Sequence, residues 1–269
     1  MHQACEKQLA DHPLHRLGIC FHSLRAVTQE QIQTVSSAIS NQTPIHIHIA
    51  EQQKEVQDCL AWSGLRPVQW LSDKIGIDQR WCLVHATHLD RNELLTIAQS
   101  KAVVGLCPTT EANLGDGIFP AVEFMQAQGR WGIGSDSHVS LSLVEELRSL
   151  EYGQRLRDQQ RNRLYSDQQN HVGDFLLNQA RLGGNQAAQV KLGLAVGHRA
   201  DFMVLDNQHP FIAASNNEDI INRWLFACNE NLIKHVYVAG KPVINDFKHI
   251  NEDHARSEFT ALLKRLFMG

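Results

Sequence analysis

The sequence lacks three features that would assign it to common classes of protein. It has six cysteines in 269 residues but no Cys-x-x-Cys pair, so a cysteine-built zinc cluster is not expected. It has no basic stripe and a formal net charge of -4, which argues against a nucleic-acid surface. No apolar run approaches a membrane span, and the polar start is unlike a signal peptide. The composition predicts a reduced, cytoplasmic protein that binds neither nucleic acid nor membranes.

Short apolar runs alternate with helical segments in the first half of the chain. The strand candidates are Leu17–Phe21, Ile45–Ala50, Trp81–His85, Val103–Cys107 and Trp131–Gly134. The helix candidates between them are Gln29–Ile39, Gln52–Trp62, Arg91–Ser100 and Ala121–Ala127. This alternation predicts an α/β protein with a parallel sheet and crossover helices.

The character of the sequence changes near residue 193. A β hairpin is predicted with its turn at Gly240-Lys241, and an amphipathic packing helix is predicted at Asp253–Met268. We therefore expect a partial (β/α) barrel in residues 1–192. Residues 193–269 are expected to form a C-terminal β domain with the final helix.

The segment Ile45–Gln52 carries the clearest chemical signal. Histidine alternates with isoleucine there, which places His46 and His48 on one face of a strand. Buried imidazoles need partners, and a transition metal is a common one. Glu51 follows just past the strand, as metal-assisted hydrolysis would require. The alternative is a pair of hydrogen-bonded core histidines.

Every strand candidate runs into polar residues at its carboxyl end. These ends are His22-Ser23-Leu24-Arg25, His48-Ile49-Ala50-Glu51, His85-Ala86-Thr87-His88, Pro108-Thr109-Thr110-Glu111 and Ser135-Asp136-Ser137-His138. In parallel α/β folds the active site is built at the carboxyl ends of the strands. The sequence therefore predicts one site formed by several strand ends.

These motifs together resemble the amidohydrolase superfamily of metal-dependent hydrolases. The matching segments are His48-x-x-Glu51, Leu83-Val84-His85, Gly134-Ser135-Asp136, Gly197–Asp206 and Val236–Val243. Within the deaminase branch, two segments are similar to N-formimino-L-glutamate deiminases, namely His22–Thr28 and Pro108–Gly117. The resemblance runs over nearly the whole chain.

The resemblance implies a TIM-barrel (β/α)8 metal-dependent hydrolase fold with a small β-sandwich domain. By the order of its motifs, His46-x-His48 would lie on the fifth barrel strand. The chain is then expected to lack the first three βα units, part of the sandwich and two metal ligands. Weak metal binding, little activity and open sheet edges that favour self-association, such as a homodimer, are the expected consequences.

The resemblance also assigns roles to four residues of the metal and catalytic centre. His48 and Asp136 would be ligands of one divalent metal ion, most simply zinc, with iron as the alternative. Glu51, His85 and Asp136 would be catalytic, with Glu51 moving a proton to the departing ammonia. The alternatives are a core histidine for His48, an exposed loop residue for Glu51 and a helix cap for Asp136. His46 is expected to pack or to support the metal site from behind.

For the substrate, the resemblance assigns binding to His22, Arg25 and His85. An acidic protein that handles a dicarboxylate needs a local guanidinium, which binds a carboxylate bidentately. The alternative for Arg25 is a surface ion pair. Residues expected to shape the pocket, without assigned contacts, are Thr109, Glu111 and Asn113.

The activity implied is hydrolysis of the formimino group of N-formimino-L-glutamate to N-formyl-L-glutamate and ammonia, a step of histidine breakdown. Two alternatives stay open. A deaminase of purine, pyrimidine or related rings would share the metal site but would not need Arg25. A non-catalytic truncated chain would bind little metal.

Overall fold

The computed structural model describes residues 2–9, 11–12 and 14–268. It divides into two compact units, the first extending to Val190 and the second beginning at Lys191. The division lies two residues before the boundary that the sequence suggested. Each unit is described separately below.

A five-stranded parallel sheet forms the centre of the first unit, with its strands in chain order. The strands are β1 (Ile19–Ser23), β2 (Ile45–Ile49), β3 (Trp81–His85), β4 (Val103–Leu106) and β5 (Arg130–Ile133). All five strand predictions are confirmed, with bounds that differ by one or two residues for four of them. Among the described strands, β1 and β5 are the two edges of this sheet.

The alternation in β2 explains how the sheet presents its polar residues. Ile45, Ile47 and Ile49 are fully buried, whereas His46 and His48 on the other face are half-buried. Burial of three isoleucines fixes the register, because a shift of one residue would move all of them to the opposite face. Ile49 pairs with His85 of β3, so the carboxyl ends of β2 and β3 lie side by side.

Nine helices are described in the first unit. They are α1 (His2–Leu9), α2 (Gln29–Ala38), α3 (Gln53–Ser63), α4 (Pro67–Lys74), α5 (Arg91–Ser100), α6 (Pro108–Leu114), α7 (Ala121–Gln126), α8 (Leu143–Asp158) and α9 (Val172–Ala187). The four helices predicted between strands are confirmed. Helices α4 and α6 were not predicted. Both have a proline in their first turn, where a backbone N–H would have no acceptor within the helix, so the lack of an N–H in proline costs nothing.

Helix α9 packs closely on β5. Gly183 approaches the strand so closely that a Cβ atom there would lie 1.8 Å from the backbone oxygen of Trp131. The same helix contacts β2, since His46 Nε2 lies 2.9 Å from the carbonyl oxygen of Ala187. His46 is thereby occupied with packing, as the sequence suggested.

The second unit contains a four-stranded antiparallel sheet. Its strands are β6 (Phe202–Leu205), β7 (Ile233–Val238), β8 (Lys241–Asn245) and β9 (Lys248–His249). The predicted hairpin is present, but its turn is Ala239-Gly240, one residue earlier than expected. Both turn residues have positive φ, 50° and 76°, as a tight two-residue hairpin requires, and Lys241 already pairs with Val238. The predicted sandwich packing stays a prediction.

The helices of this unit are α10 (Pro210–Ala213), α11 (Ile220–Phe226) and α12 (Glu252–Met268). No residue of α12 is buried, so the expected packing of this last helix against a core stays a prediction. Phe259 and Leu266 are 61% and 65% exposed. An amphipathic pattern shows which face of a helix is apolar, but not which surface covers it.

Two expectations from composition concern the whole described chain. All six cysteines are unpaired, and four of them are buried. Among residues 2–9, 11–12 and 14–268, no helix is both long and apolar enough to cross a membrane.

Candidate functional site

The backbone is strained where the parallel strands end. His22, Ala50, His85, Ala86 and Asp136 have left-handed φ values of 55°, 50°, 68°, 48° and 53°. Such values cost a non-glycine residue about 1–3 kcal/mol and persist only where the surroundings enforce them. Three of the five are residues predicted to form the site, so strained backbone accompanies the predicted site at this end of the sheet.

His85 is the centre of a cluster of charged groups. Its ring is 1% exposed at the end of β3. Its Nε2 atom lies 3.7 Å from Glu51 Oε1 and 3.7 Å from Asp136 Oδ2. The three residues predicted to be catalytic, which are separated by up to 85 positions in the sequence, therefore meet around one imidazole nitrogen.

Glu111 holds the other side of this imidazole. Its Oε1 atom lies 3.3 Å from His85 Nδ1 and accepts a hydrogen bond of 2.8 Å from the backbone N–H of Cys107. Burial alone would lower the pKa of His85, but the hydrogen bond to Glu111 and the charges of Glu51, Glu111 and Asp136 raise it overall. With Nδ1 donating to Glu111, Nε2 is directed toward Glu51 and Asp136.

The orientation of His48 is set by the backbone of the neighbouring strand. Its Nδ1 lies 2.8 Å from the carbonyl oxygen of His22, to which only a protonated nitrogen can donate. Its ring lies between two others, with centroids 5.4 Å from His22 and 5.6 Å from His85. Since Nδ1 carries the proton, Nε2 has a free lone pair, which is the arrangement of a metal-binding histidine.

A second group of ligand-type side chains lies deeper in the unit. Donor atoms of His85, Cys107 and Glu111 all lie within 4.8 Å of one another, and all three residues are buried. Burial raises the pKa of the Cys107 thiol, and the nearby carboxylates of Glu111 and Asp136 raise it further. A protonated thiol is a poor metal ligand. This group is therefore better explained as the hydrogen-bonded support of His85.

The residues predicted to bind substrate are only partly brought together. His22 lies beside His48, but Arg25 is exposed and lines a cleft of about 320 Å³ with Glu55, Trp62 and others. Among the described residues, no hydrogen bond or ion pair joins Arg25 to Glu51, His85 or Asp136. Its role in substrate binding stays a prediction.

The three residues expected to shape the pocket, Thr109, Glu111 and Asn113, have different surroundings. Glu111 supports His85, Asn113 is exposed, and Thr109 donates from its backbone N–H and its hydroxyl to the buried carboxylate of Glu146. Burial raises the pKa of Glu146. The sequence did not identify Glu146; the available signal was its place one turn before Leu150, on the buried face of α8.

Comparison with known proteins supports one family. The model described as "Amidohydrolase family" matches residues 3–243. The chain is 57% identical over 253 residues to formimidoylglutamate deiminase from Pseudomonas aeruginosa, covering 94% of this chain and 56% of that protein. It is 27% identical over 237 residues to 5-methylthioadenosine/S-adenosylhomocysteine deaminase from Natronomonas pharaonis, covering 86% of this chain and 53% of that protein. The chain thus spans about half the length of the curated relatives it matches.

Two solved structures show the same fold. An amidohydrolase from Brucella melitensis superimposes with a TM-score of 0.91 at 42% identity, covering 98% of this chain and 58% of the other. An adenosine deaminase from Xanthomonas campestris, solved with bound zinc, gives a TM-score of 0.86 at 23% identity, covering 98% of this chain and 60% of the other. Together with the parallel sheet, these neighbours indicate a TIM-barrel-like hydrolase fold. The chain belongs to the amidohydrolase family.

Proposed function

We propose that this site hydrolyses the formimino group of N-formimino-L-glutamate, giving N-formyl-L-glutamate and ammonia. The observation that carries the proposal is the position of His85 Nε2, 3.7 Å from each of the carboxylates of Glu51 and Asp136. It is supported by 57% identity to a formimidoylglutamate deiminase, of whose length the chain covers 56%.

The proposal includes an assignment of the strands. Strands β1 to β5 would be strands four to eight of an eight-stranded barrel, and the second unit would be part of a small β-sandwich. The order of His48, His85 and Asp136 along the chain supports this assignment, because each follows or ends a strand in the sequence expected for the family.

The donors of the site fit a divalent metal ion. His48 and Asp136 would hold it, since His48 Nε2 carries a free lone pair and the carboxylate of Asp136 is 28% exposed at the cluster. Zinc suits imidazole and carboxylate donors, and iron is the alternative. When bound, such a cation supplies a water molecule whose pKa lies near neutrality. Two donors are fewer than the three protein ligands usual for catalytic zinc, so we expect weak binding.

Substitution of His48 tests this metal site. Replacing His48 with alanine should raise the Kd for zinc by about 10-fold or more, because a ligand with a fixed tautomer is lost. Competition with a chromogenic chelator measures the affinity. The control is His254→Ala on the exposed helix α12. Equal zinc affinity of His48→Ala and the parent chain would rule out His48 as a ligand.

The described residues provide a path for the protons of the reaction. Glu51 would carry one proton of the attacking water to the formimino nitrogen, and Asp136 would accept the second and return it to the same nitrogen, which leaves as ammonia. His85, held by Glu111, would donate from Nε2 to the oxygen that adds to the formimino carbon. Positioned acid–base catalysis of this kind contributes about 10²–10⁴-fold to the rate.

The substrate is proposed to be a dicarboxylate, with Arg25 and His22 as its binding residues together with His85. Arg25 is exposed beside the strand end that carries His22, and it has no ion pair among the described residues. We expect Arg25→Met to raise the KM for N-formimino-L-glutamate by about 10-fold or more, the usual effect of losing a charged hydrogen bond. Ammonia release by the zinc-loaded chain is the measurement.

Two comparisons make this experiment decisive. Arg91→Met, which changes an exposed arginine at the start of α5, should leave KM unchanged. Turnover of 5′-methylthioadenosine in place of N-formimino-L-glutamate would favour the ring-deaminase alternative. If Arg25→Met handled N-formimino-L-glutamate as well as the parent chain does, the proposed substrate class would be wrong.

The remaining proposals concern assembly and location. We propose a homodimer, for which the edge strand β1 provides a physical reason, since its Cys20 and His22 are exposed. A cytoplasmic location fits the six unpaired cysteines.

A further inference from the structure

A buried glutamate next to the candidate site has no role in the proposed reaction. Glu55 lies in the first turn of α3 and is 3% exposed. Its Oε2 atom accepts a hydrogen bond of 3.1 Å from the backbone N–H of Glu51, and the neighbouring backbone N–H of Ala50 also favours the charged carboxylate. Both contacts reach backward to the segment that leaves β2.

These contacts differ from ordinary capping of a helix. In α2 and α5, the side chain at the third helical position, Gln31 or Glu93, bonds the backbone of the N-cap residue. Glu55 occupies the same position of α3, whose N-cap is Gln52. It instead reaches residues one and two positions before that N-cap. Its contacts therefore hold the strand end rather than the start of the helix.

The segment that Glu55 holds needs such support. Ala50 is fully buried with a left-handed φ of 50°, a conformation that costs an alanine about 1–2 kcal/mol. Ala50 sets the direction in which the chain leaves β2, and the next residue is Glu51. A hydrogen bond from Glu51 N–H to a buried carboxylate, with the N–H of Ala50 beside it, locks this turn more firmly than solvent would.

The carboxylate is kept in place at an energetic cost. Burial raises the pKa of Glu55, although the two backbone N–H groups and the charge of Arg25 act in the opposite direction. Its Oε1 atom is buried without a hydrogen-bond partner among the described residues. A group that serves only to stabilise the fold would not be expected to retain an unsatisfied buried oxygen.

We propose that Glu55 is a positioning residue, which fixes the backbone of Ala50 and Glu51 and thereby directs the Glu51 carboxylate toward His85 Nε2. This proposal rests on the function assigned above to Glu51. Glu55 touches neither the substrate nor the reacting atoms. Its effect on the reaction is transmitted entirely through the turn that it holds.

Two conservative variants separate the reach of the side chain from its charge. Glu55→Asp keeps the charge but is one methylene too short to reach the N–H of Glu51. Glu55→Gln keeps the length and one acceptor oxygen. We expect amide hydrogen exchange at Ala50 and Glu51 to become about 10-fold faster in Glu55→Asp and to change little in Glu55→Gln. Amides of the interior strand β4 should be unaffected in both.

The turnover of Glu55→Asp and Glu55→Gln provides a second measurement of the positioning role. In Glu55→Asp, kcat per bound zinc should fall about 10-fold with KM unchanged, since a small displacement of a catalytic group costs rate rather than binding. Glu55→Gln should retain most of the kcat of the parent chain. The matched control is Glu30→Asp, which shortens an exposed glutamate in the first turn of α2.

The exchange experiment does not depend on activity and so separates the two proposals. Unchanged exchange at Ala50 and Glu51 in Glu55→Asp, or equal loss in the two variants, would overturn the positioning role. Faster exchange in Glu55→Asp with kcat unaltered would overturn it as well, because the held turn would then not direct a catalytic group. If exchange at Ala50 and Glu51 became faster in Glu55→Asp but the parent chain did not hydrolyse the substrate, the positioning role would stand and only the proposed reaction would be contradicted.

Discussion

Replacing Gly183 with alanine is expected to destabilise the first unit by about 3 kcal/mol or more. A Cβ atom at this position would lie 1.8 Å from the Trp131 oxygen and 2.8 Å from the backbone nitrogen of Gly132. These neighbours belong to the backbone of β5 and cannot rotate away. Helix α9 would have to move off the strand, breaking a packed contact with the edge of the sheet.

The adjacent glycine is the matched control for this prediction. A Cβ atom at Gly184 would meet nothing within 4 Å, and the residue lies in the same helix. Gly184→Ala should therefore stabilise the unit by about 0.5–1 kcal/mol, the difference in helix propensity. Urea denaturation followed by circular dichroism measures both variants. A Gly183→Ala protein as stable as the parent would show that α9 does not pack as closely on β5 as described.

Glu51→Gln is expected to lower kcat per bound zinc by about 10²–10⁴-fold. Glutamine is close to isosteric with glutamate but cannot accept or deliver the proton that the leaving nitrogen needs. Zinc affinity and KM should stay near those of the parent chain, because His48, Asp136 and Arg25 are unchanged. Ammonia release and chelator competition on the same samples separate the rate from the binding of metal and substrate.

The outcome distinguishes an acid–base group from a loop glutamate. Glu30→Gln, on the exposed face of α2, removes one carboxylate and should leave kcat unchanged. If Glu51→Gln retained more than about a tenth of the parent activity, Glu51 would not carry the proton, since general acid–base groups contribute at least about 10²-fold.

Much of the first unit was predictable because its strands are short, buried and strongly patterned. The alternation of isoleucine and histidine in β2 has a period that only a strand satisfies, and the structure has the strand at Ile45–Ile49. Helices α2 and α5 begin at capping boxes formed by neighbouring residues. Local patterns of this kind do not depend on distant partners, so they can be interpreted from the sequence alone.

The sequence was a poorer guide where local signals are ambiguous. A proline can mark either the first turn of a helix or the end of another element, so the local signal for α4 and α6 is ambiguous. The hairpin turn was placed one residue late because glycine marks a turn without showing which position it occupies. Helix α12 is amphipathic, yet its apolar side chains are exposed, since amphipathicity carries no information about the covering surface.

The site residues were identified from sequence motifs, whereas their contacts are known only from the structure. His48, Glu51, His85 and Asp136 were selected by motif and by their place at strand ends, and the structure brings Glu51, His85 and Asp136 to one point. Arg25 was selected in the same way, but among the described residues no hydrogen bond or ion pair joins it to any of them. The position of a residue in the sequence places it at the carboxyl end of a strand, whereas the direction of its side chain depends on packing.

The sequence by itself determined the family, the parallel strands and the end of the sheet where the polar residues gather, because motif order and period-two alternation are local properties. Only the tertiary structure decided that Glu111 holds His85, that Glu55 bonds the backbone of Glu51, and that Gly183 must lack a side chain. These depend on distances between segments far apart in the chain or on turns in strained conformations. Such distances are fixed when helices and strands pack together, and no local pattern encodes them.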